Sequence, residues 1–172
     1  MEFALFDRWL HILSGVTWIG LLYYFNFVQA QAMGAAAADE GGPGPAAIGK
    51  YIAPRALLWF RWAALVTWVT GAYYLAAWPS YSLGGAFSLG IGADSLVVTS
   101  IGIGAWLGTI MLFNVWVLIW PNQKKILGIV PATDAEKASA KRIAFLASRS
   151  NVMMSLPMLF MMQGAAHGLP MG

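Results

Sequence analysis

The chain has two histidines, His11 and His167, and each falls near the end of a long apolar stretch. Imidazole is the commonest protein ligand for metals, and two rings on facing helices can hold the iron of a b-type haem. Such a haem also needs an apolar slot beside small residues, and Gly102, Gly104 and Gly108 supply candidates. A second group lies deeper along the same stretches. It consists of Arg61 and Arg149, with Asn26, Gln29, Asn114, Asn122 and Asn151 at a matching level. Paired guanidinium groups suit carboxylates, such as haem propionates or an organic acid anion. Each group also has a plainer reading. A histidine at a helix end can simply meet interfacial water, arginine can snorkel to lipid phosphate, and Gly104 with Gly108 has the spacing of close helix packing.

Other chemistries fare worse. Met153, Met154, Met158, Met161 and Met162 form a sulfur-rich stretch before His167. Copper(I) held by thioethers and His167 is therefore the lesser alternative to haem, although a methionine stripe also serves as adaptable packing. Cysteine is absent, which excludes disulfides, thiolate metal sites, iron–sulfur clusters and the C-x-x-C-H haem attachment. Two imidazoles leave a zinc site short of ligands. There is no Ser-His-Asp pattern and no phosphate loop. Gly102-Ile103-Gly104 follows no strand, so it is not a dinucleotide fingerprint.

The elements that must carry these residues follow from composition. Of 172 residues, 59% are hydrophobic and 10% charged, against about 25% charged in a soluble domain. Crossing the hydrocarbon core takes about 20 apolar residues. Four stretches qualify: residues 9–33, 56–78, 95–120 and 143–166. The expected fold is all-α, a single membrane domain over residues 1–172 built as a four-helix transmembrane bundle. Residues 35–45 are small and Gly/Pro-rich and read as a loop. Pro54 suits a first helical turn, whereas Pro79 and Pro121 are expected to stop helices. Thr133 and Glu136 have capping-box spacing, so the last helix should begin near residue 134 and protrude before it meets the membrane. Pro157 falls inside that span and should free the carbonyl of Met153.

Orientation follows from Lys and Arg. The first loop carries Lys50 and Arg55, and the third carries Lys124, Lys125, Lys137, Lys141 and Arg142. The second loop and the tail carry none. The positive-inside rule places both odd loops in the cytoplasm and both termini on the outer face. Acidic Glu2 and Asp7 precede the first apolar run, which does not fit a cleavable signal peptide. Trp9, Trp78 and Trp120 lie near span ends as interfacial anchors. Net charge is +3 and scattered, which gives no footprint for nucleic acid.

The segments His11 to Gln29, Trp59-Phe60-Arg61-Trp62, Asn114 to Lys124, Arg149-Ser150-Asn151 and Ser155-Leu156-Pro157-Met158 resemble the N-terminal membrane domain of bacterial membrane-bound urate oxidases (PuuD-like). His11, Arg61, Asn114, Arg149 and Asn151 are the matching positions. The His-x6-Trp-x-Gly pattern of His11, Trp18 and Gly20 is similar, more remotely, to HemJ-type and CopD-type membrane proteins. The urate oxidase resemblance implies urate hydroxylation in the inner membrane, with electrons passed to a cytochrome c domain. This chain has no C-x-x-C-H and is shorter than that membrane domain, so the cytochrome c would be a separate partner on the periplasmic side.

Two readings stand from the sequence. One is a membrane redox protein that binds haem b through His11 and His167, with Trp18, Arg61, Arg149, Asn114 and Asn151 around it. It would act as an electron carrier or as a urate-oxidase-like subunit. The other is a cofactor-free structural or assembly subunit. Either way, other membrane subunits or further copies of the chain are expected as partners, with lipid around them. One tension is built in. His11 and Asn26 are separated by roughly 22 Å along a helix, so one haem at the level of His11 would not reach both arginines.

Overall fold

Four long helical stretches account for most of the chain. The computed structural model describes residues 2–78, 82–91 and 95–167, with side chains for 5–78, 82–91 and 95–164. Among the described residues there are helices and no strands. Helix α1 (Glu2–Tyr23) runs through a π-helical turn, Tyr24–Gln29, into α2 (Ala30–Ala38). The helix outlasts the expected limit at Met33 because Ala35–Ala38 are alanines, the best helix formers. It ends at Asp39, where the backbone turns extended.

A second π turn, Ile48–Ile52, opens α3 (Ala53–Ala77), with Pro54 in its first turn as expected. The short α4 (Leu83–Phe87) is capped by Ser82, whose hydroxyl accepts the Gly85 N–H at 2.9 Å. Helix α5 (Leu96–Phe113) leads through a third π turn, Asn114–Ile119, into α6 (Trp120–Ile126). Pro121 therefore does not stop this helix. Proline lacks an N–H and crowds the carbonyl four residues back. The wider π turn just before it takes up that misfit, and the helix continues to Ile126.

Helix α7 (Asp134–His167) begins where the capping box placed it. The Thr133 N–H donates to Glu136 Oε2 at 2.8 Å, and the Glu136 N–H returns to Thr133 Oγ1 at 3.3 Å. Pro157 lies inside α7, and the helix continues past it. Pro79 falls outside the described residues.

Among the described residues, three stretches have both the length and the apolar character to cross a membrane: Leu5–Ala38, Leu96–Ile126 and Asp134–Gly164. The expected second span is a 25-residue helix, α3, with Arg55 and Arg61 in its first half. Large apolar side chains point outward along these helices, among them Leu5, Val16, Trp59, Phe113, Met153 and Phe160. The polar side chains are inside: Ser14, Asn26, Thr67, Ser100, Asn114, Asn151 and Ser155 are buried. That inversion suits lipid as solvent, where polar groups must be satisfied internally.

Helix α1 packs mainly on α3, and α5 mainly on α7. The pairs run antiparallel, since Ser14 meets Thr67 while Phe25 meets Phe60, and Ser100 meets Met161 while Asn114 meets Asn151. At the end of the helices nearer the cationic loops, Trp18, Leu22, Phe60, Met111 and Val115 fill the space between the two pairs. Toward the other end the pairs part around a cavity.

Candidate functional site

Side chains from all four long stretches line this cavity of about 510 Å³, within the size range of small-molecule sites. Helix α1 contributes Arg8, His11 and Trp18, and α3 contributes Thr67, Trp68 and Gly71. Gly104 and Gly108 come from α5, and Met158, Met162 and Gln163 from α7. Most of the wall is apolar, with the polar groups few and separate.

The surroundings of His11 select one tautomer of the neutral ring. Its Nδ1 lies 2.8 Å from the Thr67 carbonyl oxygen and 3.2 Å from Thr70 Oγ1. A carbonyl only accepts, so Nδ1 carries the proton. The Thr70 hydroxyl spends its own hydrogen on the Val66 carbonyl at 2.7 Å. The Nε2 lone pair is thus left available, with no hydrogen-bond partner among the described residues. A backbone carbonyl on the far nitrogen is the usual way of orienting a metal-binding imidazole.

The ring brings its Nδ1 and Cε1 edge up against α3 because residue 71 is glycine. A Cβ there would stand 2.8 Å from His11 Cε1, closer than packed atoms come. Thr67, Thr70 and Gly71 occupy one helical face at the i, i+3, i+4 spacing. That spacing is the sequence signal of the His11 support.

Trp18 lies below His11, buried to 2% exposure, and its Nε1–H has no partner among the described residues. An unpaired indole N–H in an apolar wall is costly and suits an acceptor on a ligand. The glycines of α5 divide their tasks. Gly108 faces open space, Gly104 lies under Met162, and Gly102 lets the backbone of α4 rest on α5 at Ala86. Only Gly104 and Gly108 therefore belong to the cavity.

The other residues singled out from the sequence lie elsewhere. Arg61 stacks on Trp120, with its guanidinium carbon 3.8 Å from the ring centre, and Arg149 lies over Phe145 at 5.0 Å. Asn114 donates to Asn151 Oδ1 at 2.8 Å, and Asn151 donates to the Met111 carbonyl at 3.0 Å. Asn26 donates to the Leu22 carbonyl at 2.8 Å and to Ser148 Oγ at 2.7 Å. None of Arg61, Arg149, Asn114 and Asn151 lines the cavity. The backbone of His167 belongs to α7, while its side chain, named as second ligand and as copper partner, lies outside the described residues. Among the described residues no cluster of three His, Asp or Glu could hold a metal ion.

Residues 95–171 match the family model described as urate oxidase N-terminal. The match spans α5, the third π turn, α6 and α7. No curated protein and no solved structure gives a significant match. Over its second half the chain is therefore similar to the N-terminal domain of urate oxidases. Its described helices include three that are long and apolar enough to cross a membrane.

Proposed function

We propose that the chain is a membrane redox subunit of a urate-oxidase-like system, holding a b-type haem in this cavity with His11 Nε2 as an axial ligand. The reading takes the protein as a four-helix bundle spanning a bacterial inner membrane, with both termini periplasmic. The observation that carries it is the Thr67 carbonyl on His11 Nδ1, which fixes the proton away from the cavity and leaves Nε2 basic. The cavity residues fit the group in three further respects. Gly71 and Gly108 keep the walls thin, Trp18 offers an unpaired donor, and the remaining surface is apolar.

Bound haem would supply reversible one-electron storage. The chain's own contribution is to orient the imidazole through Thr67 and Thr70, to exclude water with the aromatic and methionine walls, and to present the site near one end of the bundle. His167 and the Met162 thioether would be the candidates for a second ligand to the iron, since both types of ligand occur in haem proteins. A cytochrome c docked at the periplasmic face would exchange the electron.

Absorption spectroscopy on detergent-purified protein tests this directly. A Soret band that shifts on reduction is expected, together with a positive pyridine haemochrome assay. His11→Ala should abolish both while leaving the helical circular dichroism unchanged. Colourless wild-type protein that also fails to take up added hemin would sink the haem reading and favour a cofactor-free assembly subunit.

A further inference from the structure

The cavity has a charged rim. Arg8 stands one turn before His11 on α1 and lines the same space, as does Gln163 from α7. Arg8 is exposed, so it marks the open end, while buried Trp18 marks the deep end. Ten residues of helix separate the two, about 15 Å. Arg8 has an acidic neighbour in sequence, Asp7, but the two do not pair. Among the described residues the one ion pair is Asp134–Lys137, on the exposed start of α7. A guanidinium at the mouth of an apolar cavity, with no acid paired to it among the described residues, is placed for a carboxylate on the ligand.

We infer that Arg8, backed by Gln163, is the carboxylate-binding group of the cavity, so that the ligand enters with its apolar body first and its acidic edge at the rim. This rests on the haem reading above and names which part of the haem the rim recognises: the propionates. It also resolves the reach problem, because the carboxylates then meet Arg8 beside His11 and not Arg61 or Arg149 at the other end of the helices. Those two arginines already lie on Trp120 and Phe145.

The test compares hemin with hemin dimethyl ester, whose propionates are neutral, by Soret titration of the full chain in detergent. Wild type should bind the acid form more tightly than the ester. Arg8→Ala should weaken hemin by roughly three- to tenfold, the modest end for a charge-assisted bond because the rim meets water, and leave the ester unchanged. Arg8→Lys should retain part of the preference. The ester is the internal control for folding, since it uses the same cavity without the carboxylates. Equal affinity of wild type for both forms, or a preference that survives in Arg8→Ala, overturns the role of Arg8 while haem binding stands. Failure of wild type to form a Soret complex with either form defeats the haem reading, and the rim proposal with it.

Discussion

Gly71 decides where the only described imidazole can lie. Any side chain at this position meets the His11 ring, with Cβ 2.8 Å from Cε1, and the ring is pinned from behind by Thr67 and Thr70. Gly71→Ala should therefore displace the imidazole with little change in the fold. The expected outcome is reduced hemin uptake, with thermal unfolding shifted only slightly. Asn151 is the opposite kind of residue. It is fully buried and ties α5 to α7 through Asn114 and the Met111 carbonyl. Asn151→Leu orphans the Asn114 amide, takes one of two donors from the Met111 carbonyl, and should cost about 1–2 kcal/mol, since unsatisfied buried groups are penalised but polar contacts in membrane proteins are individually modest. Chemical denaturation in detergent measures that loss. Hemin affinity should be unaffected, because Asn151 does not line the cavity.

At the level of elements, two local devices set where helices begin and how a loop docks. The capping box at the start of α7 joins Thr133 to Glu136 reciprocally. The Thr133 backbone N–H and then its hydroxyl hold the Glu136 carboxyl below its ordinary value. A carboxylate with a depressed folded value contributes above its unfolded value and loses that contribution as pH falls through the folded one. Amide exchange in the first turn of α7 should therefore quicken as pH drops below the ordinary glutamate range, after correction for intrinsic exchange. Glu136→Gln should abolish this pH dependence, whereas Thr133→Ala, which keeps the backbone N–H, should remove only the hydroxyl's share of it. The second device is Gly102, whose missing side chain admits the Ala86 carbonyl. Gly102→Ala should push α4 off α5 and break the Trp106 Nε1–H bond to the Phe87 carbonyl, now 3.0 Å. A change in tryptophan emission toward a more exposed indole would report it.

For the molecule as a whole, the exterior departs from that of a water-soluble protein while the interior stays largely apolar. Apolar side chains cover the outside of the helices and hydroxyls and amides pair within. Its orientation can be read with single cysteines, because the native chain has none. Under the proposed topology, Ser88→Cys between α4 and α5 should react with an impermeant maleimide from outside. Ala138→Cys, beside the cationic third loop, should be protected until the membrane is permeabilised. The reverse pattern would turn the bundle over and place the cavity at the cytoplasmic face.

Much of this was readable from residue order because its causes are local. Long apolar runs and sparse charge dictated helices of membrane-crossing length, Pro54 marked a first turn, and Thr133 with Glu136 marked the start of α7. The π turns were not readable. Two of them, Tyr24–Gln29 and Asn114–Ile119, hold the buried Asn26 and Asn114, and the latter also precedes Pro121, where spacing alone predicted a stop. The functional residues divide in the same way. His11 stood out by its type, whereas its tautomer and its seat on Gly71 depend on α1 and α3 lying side by side, and the cavity that Arg8 and Trp18 share with it depends on the packing of all four helical stretches. The two arginines that appeared paired at one depth in the sequence rest on separate aromatic rings. Depth along a helix is additive in residue number, but the direction in which a side chain faces is set only when helices pack against one another.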